Sequence, residues 1–359
     1  MKIAQVAPLW FSLPPKKFGG TELIAYNLSE KLIKRDHQVT VFASGDSNVS
    51  GKLISAWPKH LIKEKINGKV IPWNNAHFPL LNIYEAFSRA NEFDIIHIHE
   101  NDKILSSFFI DLIKTPVVTT LHDPFPNSKS KDKLAVYNKF KKHNYISISN
   151  THRKSARLKL NFVGTVYNGI DLEKYKFQEK IKKDYLVWLG RIYPTKGVAE
   201  VIKIAKKANK KLILAGNIAK NSPASYNYFE QKIKPQFEKG RVEYVGEVNL
   251  SQKNKLLKNA FAFLNPIQWE EPFGLVMIEA MACGTPVIAF NRGAVSEIIK
   301  DGKTGFIVKN EKEMVDAIKK IEQIDRKDCR KHIEEKFSTE KMTIEYEKIY
   351  EKLIKKKKL

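Results

Sequence analysis

Residues 271–289, EPFGLVMIEAMACGTPVIA, decide how the rest of the chain is read. Pro272, Phe273 and Gly274 are a turn signal, Leu275 to Gly284 is an apolar helical run, and Thr285 to Phe290 reads as a short strand. With AFAFLNP at 260–266 as the preceding strand, these pieces form a βαβ unit. Inside the helix, Glu279 stands among Met277, Ile278, Ala280 and Met281, where a carboxylate must be compensated.

The same alternation runs outward in both directions. Ahead of it lie DYLVWLG (184–190), GVAEVIKIAKKA (197–208), KLILAG (211–216) and RVEYVG (241–246). The first half repeats the theme with KIAQVAPL (2–9), TELIAYNLSEKLIKR (21–35), HQVTVFAS (37–44), FDIIHIH (93–99), PVVTTLH (116–122) and NYISISN (144–150). Strands interleaved with helical crossovers predict parallel sheets covered on both faces. The fold class is therefore α/β, with two Rossmann-like doubly wound domains. The polar, aperiodic stretch 166–183 places the boundary, giving domains at 1–165 and 166–337. A terminal segment, 338–359, has Met342, Tyr346, Ile349, Tyr350 and Leu353 on one helical side and is expected to need a surface to cover.

A chain of 359 residues with 43% apolar content can fill two cores. Cys283 and Cys329 are its only cysteines, which fits a reducing, cytoplasmic compartment. No apolar stretch approaches the roughly 18 to 20 residues of a membrane span, and the N-terminus reads as a strand rather than a signal sequence. The net charge of +24 raises nucleic acid and anionic membranes as partners. Only 9 of the 63 basic residues are Arg, the residue that nucleic-acid readers favour, so no nucleic acid is expected. A solvated Lys-rich surface and peripheral contact with an anionic membrane both remain open.

Ligands of open α/β sheets bind beyond the carboxyl ends of the strands, so residues there carry the chemistry. Arg191 and Lys196 follow DYLVWLG and precede Gly197 at a helix start, an arrangement suited to a diphosphate; solvated loop cations are the simpler alternative. Gly274 admits a ligand to the backbone, and the N–H groups of Phe273, Gly274 and Leu275 point out of the next helix start. Glu271 and Glu279 could both address one elongated ligand through its hydroxyls. Alternatively, Glu279 makes an internal salt bridge and Glu271 caps the helix. In the first half, Phe18, Gly19, Gly20 and Thr21 join strand to helix, where glycines let the backbone approach phosphates or simply make a tight turn. His97 and His99 share one strand face; zinc would require further ligands that the sequence does not supply. His122 ends another strand of the same half.

Residues 271–289, together with GRIYPTKG, VYNGID and FGGTE, resemble the signature of the family 4 retaining glycosyltransferases, in order and over nearly the whole chain. The resemblance implies the glycosyltransferase B-type fold, with two Rossmann-like domains facing each other across a cleft and the terminal helix crossing back to the first. It implies a nucleotide-sugar donor, a UDP- or GDP-hexose, held by the second domain, a hydroxyl acceptor on the first, and no separate cofactor or metal. Arg191 and Lys196 match the diphosphate pair, Glu279 the ribose glutamate, and Glu271 the glutamate facing the transferred sugar. Phe273, Gly274 and Leu275 match backbone contacts to sugar and phosphate, and Gly19 and Gly20 the glycines over the phosphates. His99 matches the histidine beside sugar and acceptor, with Glu100 and His122 on the acceptor side. Ribose hydroxyls, with water, would then compensate Glu279. No Asp-x-Asp occurs, as suits a metal-independent transferase, and no pyridoxal-lysine motif marks a phosphorylase. A non-catalytic nucleotide-sugar-binding protein is the alternative from another class, with a basic nucleic-acid-binding protein behind it.

Overall fold

A computed structural model describes every residue except 67, 101–103, 183, 219–221 and 359, and their side chains except those of Lys63, Glu100 and Lys358. The chain divides into two units, Met1–Gly169 with Thr339–Leu359, and Ile170–Ser338. The first division falls after 169 rather than 165, since Val166, just past the last strand, still bonds to the sheet edge. The Val166 N–H donates to the Ser147 carbonyl at 2.9 Å, and Val166 is buried.

The first unit contains strands β1 (Lys2–Val6), β2 (Gln38–Phe42), β3 (Lys52–Ile54), β4 (Lys65–Ile66), β5 (Lys69–Val70), β6 (Ile95–Glu100), β7 (Val117–Leu121), β8 (Tyr145–Ser147) and β9 (Phe162–Thr165). Its helices are α1 (Gly20–Ile33), α2 (His77–Phe87), α3 (Lys131–Lys139) and α4 (Asn150–Ser155). Apart from the small antiparallel pair β4 and β5, the strands form one sheet in the order β3-β2-β1-β6-β7-β8-β9. Every pairing in it is parallel. β7, VVTTL, is buried at all five positions, as expected of a strand covered on both faces.

The second unit alternates β10 (Tyr185–Leu189), α5 (Val198–Lys207), β11 (Lys211–Ala215), α6 (Pro223–Tyr228), β12 (Val242–Tyr244), α7 (Leu250–Asn259), β13 (Ala262–Asn265), α8 (Leu275–Ala282), β14 (Val287–Phe290), α9 (Val295–Ile298) and β15 (Gly305–Val308). Helices α10 (Glu311–Lys320) and α11 (Arg326–Lys336) complete it. The sheet is parallel, in the order β12-β11-β10-β13-β14-β15. α5 buries Val198, Val201, Ile202, Ile204 and Ala205, a broad face at helical spacing. α8 is buried from Met277 to Ala282, six of its eight residues, which explains its nearly unbroken apolar sequence. The last helix, α12 (Thr339–Lys358), belongs to the first unit and buries Met342, Tyr346, Tyr350 and Leu353. Among the described residues no helix is long and apolar enough to cross a membrane.

In each sheet the strand order reverses beside its first strand, between β1 and β6 and between β10 and β13. These are the switch points at which a doubly wound sheet opens a crevice for ligand.

Candidate active site

In the second unit, two loops meet at the switch point. Gly197, at the end of the loop after β10, has φ 76°, and a Cβ there would lie 2.0 Å from the Pro266 carbonyl oxygen. The Gln268 N–H donates to the Thr195 carbonyl at 2.8 Å. This close backbone approach carries Lys196 to the loop after β13. There its Nζ donates to Glu271 Oε2 at 2.5 Å and lies 4.5 Å from the Trp269 ring centre. Trp269 Nε1 donates to the same oxygen at 2.8 Å. Arg191 is exposed just beyond the end of β10. Thus the diphosphate cation Lys196 and the sugar-facing Glu271 expected from the sequence are brought together as an ion pair, with Trp269 as a partner that the sequence did not single out.

The Glu271 backbone is pinned from a third loop. The Ala294 N–H donates to the Glu271 carbonyl at 3.0 Å, and the Gly293 N–H donates to Glu270 Oε2 at 2.5 Å. Gly293 has φ 58°, and a Cβ there would come within 2.1 Å of the Glu271 carbonyl oxygen. Glu271 does not cap α8; that place belongs to Gly274, with φ 100° and no side-chain cap. The N–H groups of Leu275 and Val276 open the helix with no intrahelical acceptor, and a Cβ at Gly274 would stand 3.6 Å from Glu271 Cγ. Phe273 is buried edge-on against Phe337, 5.9 Å between ring centres, and Leu275 is half-buried.

Glu279 is 2% exposed, and its compensation comes from the protein rather than from ligand hydroxyls. Lys253 Nζ, from α7, donates to Oε1 at 2.5 Å, and the Tyr175 hydroxyl donates to the same oxygen at 2.7 Å. The internal salt bridge, the simpler of the two expectations, is the one formed. A buried anion needs a partner whether or not a ligand is present. Burial, then the Glu279 charge, holds the Tyr175 hydroxyl well above the usual phenol range, so it stays a donor. Burial likewise pushes the Cys283 thiol up to about 12, which leaves it unreactive.

In the first unit, Gly19 ends the loop after β1 with φ 138°; a Cβ there would stand 2.9 Å from Pro15 Cβ and 3.2 Å from Glu22 Oε2. Gly20 is exposed and opens α1. Glu22, the last residue of FGGTE, is 4% exposed. Burial pushes its carboxyl up to about 8, the Asp123 charge adds to this, and the backbone N–H groups of Glu22 and Phe11 oppose it.

His99 lies at the end of β6, with Nδ1 3.1 Å from His122 Nε2 and Nε2 2.9 Å from Gln5 Oε1. The Gln5 amide donates to the Tyr350 hydroxyl of α12, which also lies 2.6 Å from His97 Nδ1. His97 Nε2 reaches Thr120 at 2.8 Å, so His97 is a structural link between β6, β7 and α12. Burial holds His97, His99 and His122 well below the usual imidazole range, neighbouring histidine charges add to it, and all three are neutral at pH 7. The side chain of Glu100 lies outside the described residues.

Known proteins similar to this chain share its fold. The family model described as Glycosyltransferase Family 4 matches residues 18–174, and the one described as Glycosyl transferases group 1 matches residues 171–338. An uncharacterized glycosyltransferase of Methanocaldococcus jannaschii is 26% identical over 86% of this chain and 85% of its own. The N-acetyl-alpha-D-glucosaminyl L-malate synthase of Bacillus anthracis is 24% identical over 92% and 93%. Among solved structures, HepE of Anabaena in complex with UDP-glucose superimposes with a TM-score of 0.71 at 20% identity, covering 98% of this chain and 99% of that one. With both halves matched and two parallel sheets that each reverse beside their first strand, the chain belongs to the family 4 glycosyltransferases and has their B-type fold.

Proposed function

We propose that the protein transfers a hexosyl group from a UDP- or GDP-linked sugar to an acceptor hydroxyl, with retention of anomeric configuration and without a metal ion. The observation that carries this reading is the cluster of Lys196, Trp269 and Glu271 beside the Gly274 entrance to α8. A diphosphate competes with Glu271 for Lys196 and gains Arg191 and the N–H groups of the helix start. Glu271 then keeps Trp269 Nε1 as a donor and turns its remaining lone pairs to sugar hydroxyls. Glu279, fixed by Lys253 and Tyr175, takes the ribose.

The bond from the anomeric carbon to the diphosphate breaks with its electron pair on the diphosphate, whose growing charge the two cations and the helix start stabilise. The acceptor oxygen bonds to the anomeric carbon on the same face, and its proton passes to the departing diphosphate oxygen. The HepE complex contains UDP-glucose and supports a nucleotide-sugar donor here. The test is incubation with UDP- and GDP-hexoses in EDTA, followed by NMR. The expected product keeps the donor's anomeric configuration. An inverted product, or activity lost in EDTA and restored by magnesium, overturns the reading.

A further inference from the structure

At the switch point of the first unit, a crevice of about 40 Å³ opens beside Trp10, Trp73, Asn75, Asn82 and His99. That volume holds roughly three waters, so it admits the edge of a ligand and not a whole one. Trp73 is 44% exposed. Its ring lies 4.3 Å from that of Trp10, which is buried with Leu9, Leu61, Ile71 and Phe78. The exposed ring therefore rests on a fixed backing and forms a rigid platform.

Two amides flank it, and their orientations follow from their partners. Asn82 is 2% exposed, and its Nδ2 donates to the carbonyls of Ala7 at 3.0 Å and Phe42 at 3.2 Å. That fixes Oδ1 as the other end of the amide, and Oδ1 accepts no hydrogen bond among the described residues. A buried acceptor in a crevice calls for a donor from a ligand. Asn75 is oriented the opposite way. Its Oδ1 accepts from the N–H groups of His77 at 3.0 Å and Phe78 at 3.4 Å, so its NH2 is what it offers to a ligand.

Building on the transferase reading above, we propose that this crevice holds the acceptor and that the acceptor is a hexopyranoside. Its apolar ring face stacks on Trp73, while an edge bearing a hydroxyl or hydroxymethyl group enters the crevice, donates to Asn82 Oδ1 and accepts from Asn75 Nδ2. The chemistry of the walls selects this class. The described lining combines apolar side chains with two amides and His99, walls that suit a ligand with an apolar face and hydroxyl edges. An aliphatic chain would cover Asn82 Oδ1 without satisfying it.

The experiment uses the full chain with its donor and measures nucleoside diphosphate release in the presence of methyl hexosides, 1-hexanol, phenol or a hydroxy acid. Methyl hexosides are expected to raise release above hydrolysis and to quench tryptophan fluorescence. W73A, a substitution at an exposed position, is expected to raise KM for the glycoside about tenfold, with kcat changed by less than about twofold. Nucleoside diphosphate affinity should not change, and W73F should restore most of the loss. N82A, compared at matched thermal stability, is expected to raise the same KM. Preference for the alcohols or the hydroxy acid, or a W73A KM equal to the parent's, overturns the proposal. Donor hydrolysis with no glycoside accepted sinks this inference alone. Failure to bind any nucleotide sugar sinks the transferase reading as well.

Discussion

At the residue scale, the two glutamates of 271–289 differ in what their loss leaves behind. Glu271 is partly open and shares its proton donors with the proposed ligand: Lys196 is paired with it at 2.5 Å. E271A therefore frees Lys196 for phosphate. Transfer is expected to be lost, while affinity for the free nucleoside diphosphate holds or rises. Glu279 is buried on Lys253 and Tyr175, so E279A strands a cation and a phenol in an apolar setting. It is expected to cost about 3 kcal/mol of stability and to lower nucleotide affinity. Calorimetric titration with UDP and GDP, beside urea unfolding, checks both; equal losses of affinity would refute the division of roles. The carboxylates were legible because Glu279 interrupts an apolar run, and any buried anion announces itself in that way. Their partners were not legible. Lys253 lies 26 residues away and Tyr175 104. Neither segment carries a periodicity that could link it to Glu279.

At the element scale, the alternation of strand and helix was legible because parallel strands are covered on both faces, so that segments such as KLILA and VIAF carry almost no polar residues. The meeting of loops was not legible, since it depends on backbone passing backbone. Gly197 shows how tight that passage is. G197A would place a methyl 2.0 Å from the Pro266 oxygen on a left-handed backbone with φ 76°. It is expected to destabilise the second unit by roughly 1–3 kcal/mol and to separate Lys196 from Glu271, lowering donor affinity more than a surface alanine in α5 would. Thermal unfolding together with the donor KM measures it; parent-like values for both would show that the loop is slack. The simpler account of Gly19 and Gly20, as residues of a tight turn, also has support in the steric wall around Gly19, and a phosphate role would be additional to it.

At the scale of the whole molecule, buried titratable groups give stability a pH dependence. His97, His99 and His122 are held below 6.5 mainly by burial, and His152 falls to about 4 for the same reason. As pH drops below 6.5 the unfolded chain takes up protons that the folded one refuses, so the stability these groups confer is complete above that pH and drains away beneath it. Glu22 acts in the opposite sense. Its folded value near 8 lies above the usual 4.5, so its contribution is complete below 4.5 and is lost as pH rises through 8. Four histidines outweigh one glutamate, and the urea midpoint of the first unit is expected to fall between pH 7 and pH 5; a flat profile would contradict the burial of this cluster. The same cluster ties α12 to the sheet through Tyr346 and Tyr350. Because α12 follows the whole of the second unit in sequence, the covering of the sheet that the ribosome makes first cannot be completed until residues 339–358 have emerged. The unbroken 170–338 segment, by contrast, has all its elements available before then. Order of synthesis and order of completion are thus reversed. Until α12 is made, Gln5, His97 and Thr120 await their tyrosines, and a nascent chain stalled before it exposes that face of the sheet to whatever binds unfinished protein.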